Sequence, residues 1–143
     1  MKRRLSLLLV LCLVLAGCAG KGNPEGNAAV DLDLTELSVT VLIACLDQIN
    51  ETPEDYMGKT IKMSGAYYAL YSEETDTYYH YAFVTDTAAC CVKGLEFLWN
   101  GEHNFPDDYP EETADIEITG VFNSYEEFGQ AWYYLAVDDI SVL

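Results

Sequence analysis

Residues 59–67 read KTIKMSGAY, and residues 116–122 read IEITGVF. In each stretch an apolar residue or a glycine occupies every second position, and the glycine, Gly65 or Gly120, lies partway along. This period of two predicts β-strands that bury one face. A glycine inside a strand permits the bend or bulge that a small barrel requires where a strand turns a corner. The two stretches therefore favour a barrel built from bent strands.

Three further segments have strand character: residues 78–86, 94–99 and 131–137. Loops rich in Glu, Asp, Ser and Asn join several of them, at residues 72–77 and 123–129. We expect a mainly β fold with a minor α component, namely a small five-stranded OB-like barrel preceded by one helix. An open α+β sheet is the alternative.

The predicted helix lies within residues 31–50, where Leu42, Cys45, Leu46 and Ile49 follow a helical spacing. Asp33 and Glu36 are spaced as in a capping box at its start, while the β-branched residues at 39–43 leave a strand as the alternative. Thr52-Pro53-Glu54-Asp55 then predicts a single capped turn with proline in the first helical position.

The chain begins MKRRLSLLLVLCLVLAGCAG, with basic residues at 2–4 and an apolar run at 5–15 that is too short to span a bilayer comfortably. Residues 15–18, LAGC, match a bacterial lipobox, in which the Cys18 thiol takes a diacylglycerol before cleavage. We predict a signal peptide at 1–17, a lipidated flexible tether at 18–30 and a globular domain at 31–143. Acyl chains such as palmitate would hold the protein on the extracytoplasmic face of a bacterial cell membrane. An ordinary secretory signal or an uncleaved anchor helix is the alternative.

Composition supports one folded domain and excludes one class of partner. The chain has 143 residues, of which 50% are hydrophobic and 13% aromatic, and this argues against disorder. Lys and Arg number 7 against 24 Asp and Glu, a formal net charge of −17. Such an acidic surface repels phosphate backbones, so a nucleic-acid partner is not expected.

Five cysteines are present; Cys12 leaves with the predicted signal peptide and Cys18 is the predicted lipidation site. The adjacent pair Cys90-Cys91 is open to three interpretations. The two thiols could pack in the core, form a vicinal disulfide or pair with Cys45, or bind a divalent metal. Residues that could complete such a metal site are Cys45, His80 and His103.

Aromatic residues crowd two predicted hairpins. Because each barrel strand has one inner face, about half of these rings should point outward, where Tyr and Trp stack on sugars, peptides or proteins. The candidate ligand surface consists of Tyr68, Tyr79, Tyr81, Trp132 and Tyr134. A tyrosine-rich surface without a ligand is the alternative. Known hydrolase, metalloprotease and phosphate-loop motifs are absent, so we do not expect an enzyme.

A family resemblance rests on residues 53–65 (PEDYMGKTIKMSG), DTAACC at 86–91, GLEF at 94–97 and YPEE at 109–112. These stretches resemble a group of Firmicutes lipoproteins with OB-like domains, and more distantly a domain found with bacterial permease-like membrane proteins. The resemblance implies an exported, membrane-tethered β-barrel domain without an established activity. The sequence as a whole favours a membrane-anchored binding or interaction module. A thiol-based metal or redox protein using Cys90 and Cys91, and a structural envelope component, are the alternatives.

Overall fold

The computed structural model describes residues 29–143. The predicted signal peptide, Cys18 and most of the predicted tether lie outside the described residues. Within this range, no helix is both long enough and apolar enough to cross a bilayer.

One helix and six strands make up the domain, and they follow one another along the chain with a short 3-10 turn after the helix. In chain order the elements are β1 (Leu32–Asp33), α1 (Val39–Glu51), the 3-10 turn (Pro53–Asp55), β2 (Thr60–Ser72), β3 (Thr77–Thr85), β4 (Val92–Trp99), β5 (Asp115–Glu127) and β6 (Gln130–Val142).

The strands form one sheet in the order β1-β2-β3-β4-β6-β5, and β2 also pairs with β5. That extra pairing brings five strands into a ring, with the two-residue β1 added to β2 in parallel. Within the ring β4 and β6 run parallel and the other pairs are antiparallel. The mainly β, OB-like prediction is confirmed, although the ring is only partly closed and is not a regular barrel. The β2–β5 pairing excludes the open sheet.

Both predicted strand glycines lie where the ring bends. Strand β2 pairs with β5 up to Ala66 and with β3 from Ala66 onward, so Gly65 immediately precedes the change of partner. A Cβ at Gly65 would lie 2.8 Å from the Phe83 carbonyl oxygen. Gly120 lies at the register irregularity between β5 and β6, and a Cβ there would lie 2.6 Å from the Ala136 carbonyl oxygen. The absence of a side chain at these positions lets neighbouring backbone approach closely.

A third glycine, Gly94 in β4, gives a direct test of this close approach. A Cβ there would meet the Ala82 carbonyl oxygen and lie 2.6 Å from the Phe83 ring. We expect Gly94→Ala to lower the free energy of unfolding by about 3 kcal/mol, the upper end of the usual overpacking cost, because the clash is with backbone. The control is Gly58→Ala: its φ is +77° and its Cβ would meet nothing within 4 Å, so only about 1 kcal/mol of backbone strain is expected. Urea unfolding measures the loss of stability in both variants. Equal losses would show that the close backbone approach at Gly94 does not have the packing role assigned to it.

Helix α1 starts later than the sequence predicts. Its N-cap is Ser38, and the capping-box prediction is wrong because Asp33 belongs to β1 and its carboxylate accepts hydrogen bonds from the backbone N–H and hydroxyl of Thr35. The β-branched residues from Val39 form the first turn. The predicted apolar stripe is confirmed, since Leu42, Leu46 and Ile49 are buried and Cys45 is half-buried. The 3-10 turn is confirmed too, without a side-chain cap from Thr52.

The core fills the inside of the ring and the interface between the ring and α1, which packs on β3 and β4. Alternate residues of each long strand are buried, as the period of two predicts. The largest fully buried side chains are Tyr67, Phe97, Phe122, Leu34, Leu46, Ile49, Ile61, Met63, Ile116, Ile118, Leu135 and Val137.

Candidate functional site

A row of side chains crosses the outer face of the ring. Strand pairing places Tyr68 beside Tyr81, Tyr81 beside Glu96, and Glu96 beside Tyr134. Neighbours in register on adjacent strands point to the same face of a sheet, so these side chains form one continuous surface. Glu96 is an acid in the centre of an aromatic row.

Strands β3, β4, β5 and β6, with the turn between β2 and β3, line an open cavity of about 380 Å³ beside this row. The Tyr79 hydroxyl donates to both carboxylate oxygens of Glu127, at 2.8 and 2.9 Å, and so connects β3 to the end of β5. The cavity is lined by Thr75, Thr77, Tyr78, Tyr79, His80, Glu96, Phe97, Leu98, Tyr125, Glu127 and Tyr134. We call this cavity, with its lining, the tyrosine–glutamate cleft.

Glu96 is partly buried within the cleft. The Tyr125 hydroxyl donates to its two oxygens at 3.1 Å each, and the Tyr81 hydroxyl lies 3.5 Å from Oε2. Burial disfavours the charged form and raises the pKa of Glu96 to about 7, although the tyrosine hydroxyls oppose this. Burial, together with the negative charge of Glu96, also raises the pKa of Tyr81 to about 12. At neutral pH both tyrosines are therefore hydrogen-bond donors, and Glu96 exchanges between its charged and neutral forms.

The cleft carboxylates have no basic partner among the described residues. The lysines of the range 29–143, which contains no arginine, are Lys59, Lys62 and Lys93, and none of them lines the cavity. His80 does line it but is uncharged at neutral pH, because burial lowers its pKa to about 4. Lys62 pairs with Glu117 at 3.0 Å and Lys93 pairs with Asp47 at 2.6 Å. Lys59 lies 5.1 Å from the centre of the Tyr56 ring. The negative charge of the cleft is therefore left uncompensated by this part of the chain.

No family model matches this chain, and no curated protein sequence is significantly similar to it. The resemblance to Firmicutes lipoproteins stays a prediction.

The predicted ligand surface maps onto this region. Tyr79 and Tyr134 line the cleft, while Tyr79, Tyr81 and Trp132 line an adjoining groove of about 260 Å³. Tyr68 belongs to the same outer row and packs on Phe83, with ring centres 5.7 Å apart. The structure thus brings together aromatic residues from two hairpins that are about 50 positions apart in sequence.

Sequence reasoning missed Glu96, Tyr125, Glu127 and Phe128. Nothing in the sequence distinguishes Glu96 and Glu127 from the other acids, because their role depends on burial. The sequence did contain a signal for Phe128, because it stands with Gly129 between two segments of strand character. In the structure Phe128 and Gly129 form the two-residue turn between β5 and β6, and both have positive φ (51° and 75°). Phe128 is 63% exposed and lines the adjoining groove. A strained, exposed aromatic residue at a hairpin tip marks a candidate contact for a ligand.

Cys90 and Cys91 lie in the loop between β3 and β4, and both are exposed free thiols, so the packed-core interpretation is wrong for this pair. Oδ1 of Asp86 accepts hydrogen bonds from the backbone N–H groups of both cysteines, at 2.9 and 3.2 Å, and these bonds stabilise the turn. The Cys90 thiol lies 3.1 Å from Oδ2 of Asp86 and 3.7 Å from the Cys91 sulfur. Its hydrogen bond to the Asp86 carboxylate raises the pKa of Cys90 to about 11, so this thiol is protonated at neutral pH as long as no metal displaces the proton.

His80 and Cys45 lie apart from the paired cysteines. His80 is buried on the inner face of β3, shares a 2.8 Å hydrogen bond with the Tyr67 hydroxyl and stacks on Tyr109 with ring centres 4.1 Å apart. Burial lowers its pKa to about 4, so it is neutral at physiological pH. Cys45 is half-buried against the core. Within residues 29–143 the group that could hold a metal is Asp86, Cys90 and Cys91.

Proposed function

We propose that this chain is a lipid-anchored extracytoplasmic binding module, and that its tyrosine–glutamate cleft binds an ammonium or guanidinium group of a peptide. The observation that supports this is the position of Glu96 and Glu127, two acids in one aromatic cleft without a basic partner among residues 29–143. A buried carboxylate is costly unless it is paired, so a cationic ligand would gain from supplying the missing charge.

The cleft offers three kinds of contact to such a group. Glu96 and Glu127 each retain lone pairs beyond those used by the tyrosine hydroxyls, and these can accept N–H donors. The ring of Tyr134 belongs to the cleft wall, and a tyrosine face attracts a cation. The formal charge of −17 for the whole chain raises the local concentration of cations and disfavours anionic ligands.

A peptide fits these contacts better than a free polyamine does. The adjoining groove shares Tyr79, Tyr125 and Glu127 with the cleft and adds the exposed rings of Phe128 and Trp132. When a basic side chain of the peptide occupies the cleft, the peptide backbone and the neighbouring apolar side chains would lie against these rings. A polyamine has no apolar side chains to use them.

The test is calorimetric titration of the full-length chain in detergent micelles, at about 0.15 M salt, with Ala-Leu-Lys-Leu-Ala and Ala-Leu-Gln-Leu-Ala peptides, spermidine and a neutral tetrasaccharide. We expect the lysine peptide to bind best. Glu96→Gln should weaken it by at least about tenfold, since a charge-assisted hydrogen bond contributes about 1.5–3 kcal/mol. Asp107→Asn changes the net charge equally at an exposed loop position and should have less than about a twofold effect.

Binding should also depend on pH. A cation favours ionised Glu96, so affinity should rise as the pH passes through about 7 and level off above it. Tyr81 and Tyr125, both neutral donors in this range, face Glu96, and Tyr134 lies beside it on β6. The nearby Glu127 adds to the rise in the pKa of Glu96. Glu96→Gln should remove this dependence. Equal binding of the lysine and glutamine peptides, or tighter binding of spermidine or the saccharide, would contradict the peptide proposal.

A further inference from the structure

We propose that Asp86, Cys90 and Cys91 form a Zn²⁺ site on the loop between β3 and β4, separate from the tyrosine–glutamate cleft. One ligating atom from each residue lies within 4.8 Å of the other two. The donor set is two sulfurs and one carboxylate oxygen, all of which are zinc ligands in proteins. This combination disfavours Ca²⁺ and Mg²⁺, which prefer oxygen ligands alone.

The distance between the two sulfurs fits a shared metal ion. With a Zn–S bond of about 2.3 Å and a tetrahedral angle, two thiolates on one zinc lie roughly 3.8 Å apart. The Cys90 and Cys91 sulfurs are 3.7 Å apart. A disulfide would instead need about 2.05 Å, and adjacent residues have Cα atoms only about 3.8 Å apart, below the usual disulfide range. The loop geometry therefore suits two thiolates on one metal better than a bond between them.

The Asp86 side chain is held in place for this role. Its Oδ1 accepts the N–H groups of both cysteines, while Oδ2 faces the Cys90 sulfur at 3.1 Å. The backbone supports the same turn, because the Asp86 N–H donates to the Cys91 carbonyl and the Ala89 N–H donates to the Asp86 carbonyl. A fixed carboxylate lowers the cost of ordering the ligands around an ion.

Three protein ligands leave one tetrahedral position open. Both cysteines are exposed, so this position is accessible to water or to a donor from another molecule. Binding replaces the two thiol protons, which pass to solvent, and involves no change in oxidation state. An open, exposed site of this kind suits an ion that is exchanged with a partner rather than one that stabilises the fold, and the loop lies outside the buried core.

The experiment measures Zn²⁺ and Cd²⁺ binding to the full-length chain in detergent micelles under reducing conditions. Bound zinc is counted by elemental analysis after dialysis, and Cd²⁺ is followed by its thiolate charge-transfer absorption. We expect one ion per chain. Asp86→Asn keeps the oxygen that accepts the two N–H groups but removes the anionic ligand, and should weaken binding by at least about tenfold. Cys90→Ser and Cys91→Ser should each reduce the Cd²⁺ absorption to about half or less.

Cys45→Ala is the matched control, since it removes a thiol that lies outside the cluster and should change affinity by less than about twofold. Circular dichroism of each variant checks that the ring is intact. Failure of the wild-type chain to retain zinc would overturn the proposal. So would undiminished zinc binding by the folded Cys90→Ser and Cys91→Ser variants, or its loss in Cys45→Ala.

Discussion

Replacing Tyr67 by alanine is expected to lower the free energy of unfolding by about 3–5 kcal/mol, the usual cost of removing a large aromatic side chain from a core. Tyr67 is fully buried, and its ring lies about 6 Å from those of His80, Phe97 and Tyr109. The substitution leaves a cavity inside the ring and removes the hydrogen-bond partner of His80. Urea unfolding of a chain that begins at Ala29 measures the loss.

Tyr67→Phe separates the two contributions. It keeps the ring and removes the hydroxyl that shares a 2.8 Å hydrogen bond with His80. Leaving one buried polar atom unpaired costs about 1–3 kcal/mol, so this variant should lie between the wild type and Tyr67→Ala. If both variants unfold at the same urea concentration, the ring does not have the packing role assigned to it.

Cys18→Ser is expected to have the largest effect on location. The serine hydroxyl does not replace the thiol that takes the diacylglycerol, so the precursor should stay unlipidated. Each buried CH₂ of an acyl chain contributes about 0.8 kcal/mol to membrane binding, and two or three chains hold a small domain durably. We therefore expect the wild-type protein in the membrane fraction, with a mass consistent with lipidated Cys18. The variant should be absent from the membrane fraction and should lack the mass of the lipid.

Cys12→Ser is the control for this prediction, because it changes a cysteine of the predicted apolar run and leaves LAGC intact. It should be lipidated and fractionate like the wild type. Wild-type protein without lipid, and with an N-terminus other than Cys18, would show that the lipobox prediction is wrong.

The sequence determined the strand pattern because burial in a sheet alternates along a single strand. The period of two predicted which residues of β2 and β5 point into the core, and the glycines within that pattern predicted where the two strands bend. The buried face of α1 could be read from Leu42, Leu46 and Ile49 for the same reason. These properties depend on residues that lie close together in the sequence, within one helical turn or one strand. They can therefore be predicted from a single sequence.

Pairing between distant strands decided the rest. The start of α1 was misplaced because β1 pairs with β2 and takes Asp33 out of the helix. Cys90 and Cys91 were open to several interpretations because their exposure depends on how the β3–β4 loop leaves the sheet.

The tyrosine–glutamate cleft shows the same limit most clearly. Glu96 is one of 24 acidic residues in the sequence, and its neighbours there predict an ordinary strand position. Only the pairing of β4 with both β3 and β6 places it between Tyr81 and Tyr134. The long β5–β6 hairpin then brings Tyr125 within 3.1 Å. A carboxylate's burial and pKa are set by whatever surrounds it in space, and that arrangement exists only once the ring has formed.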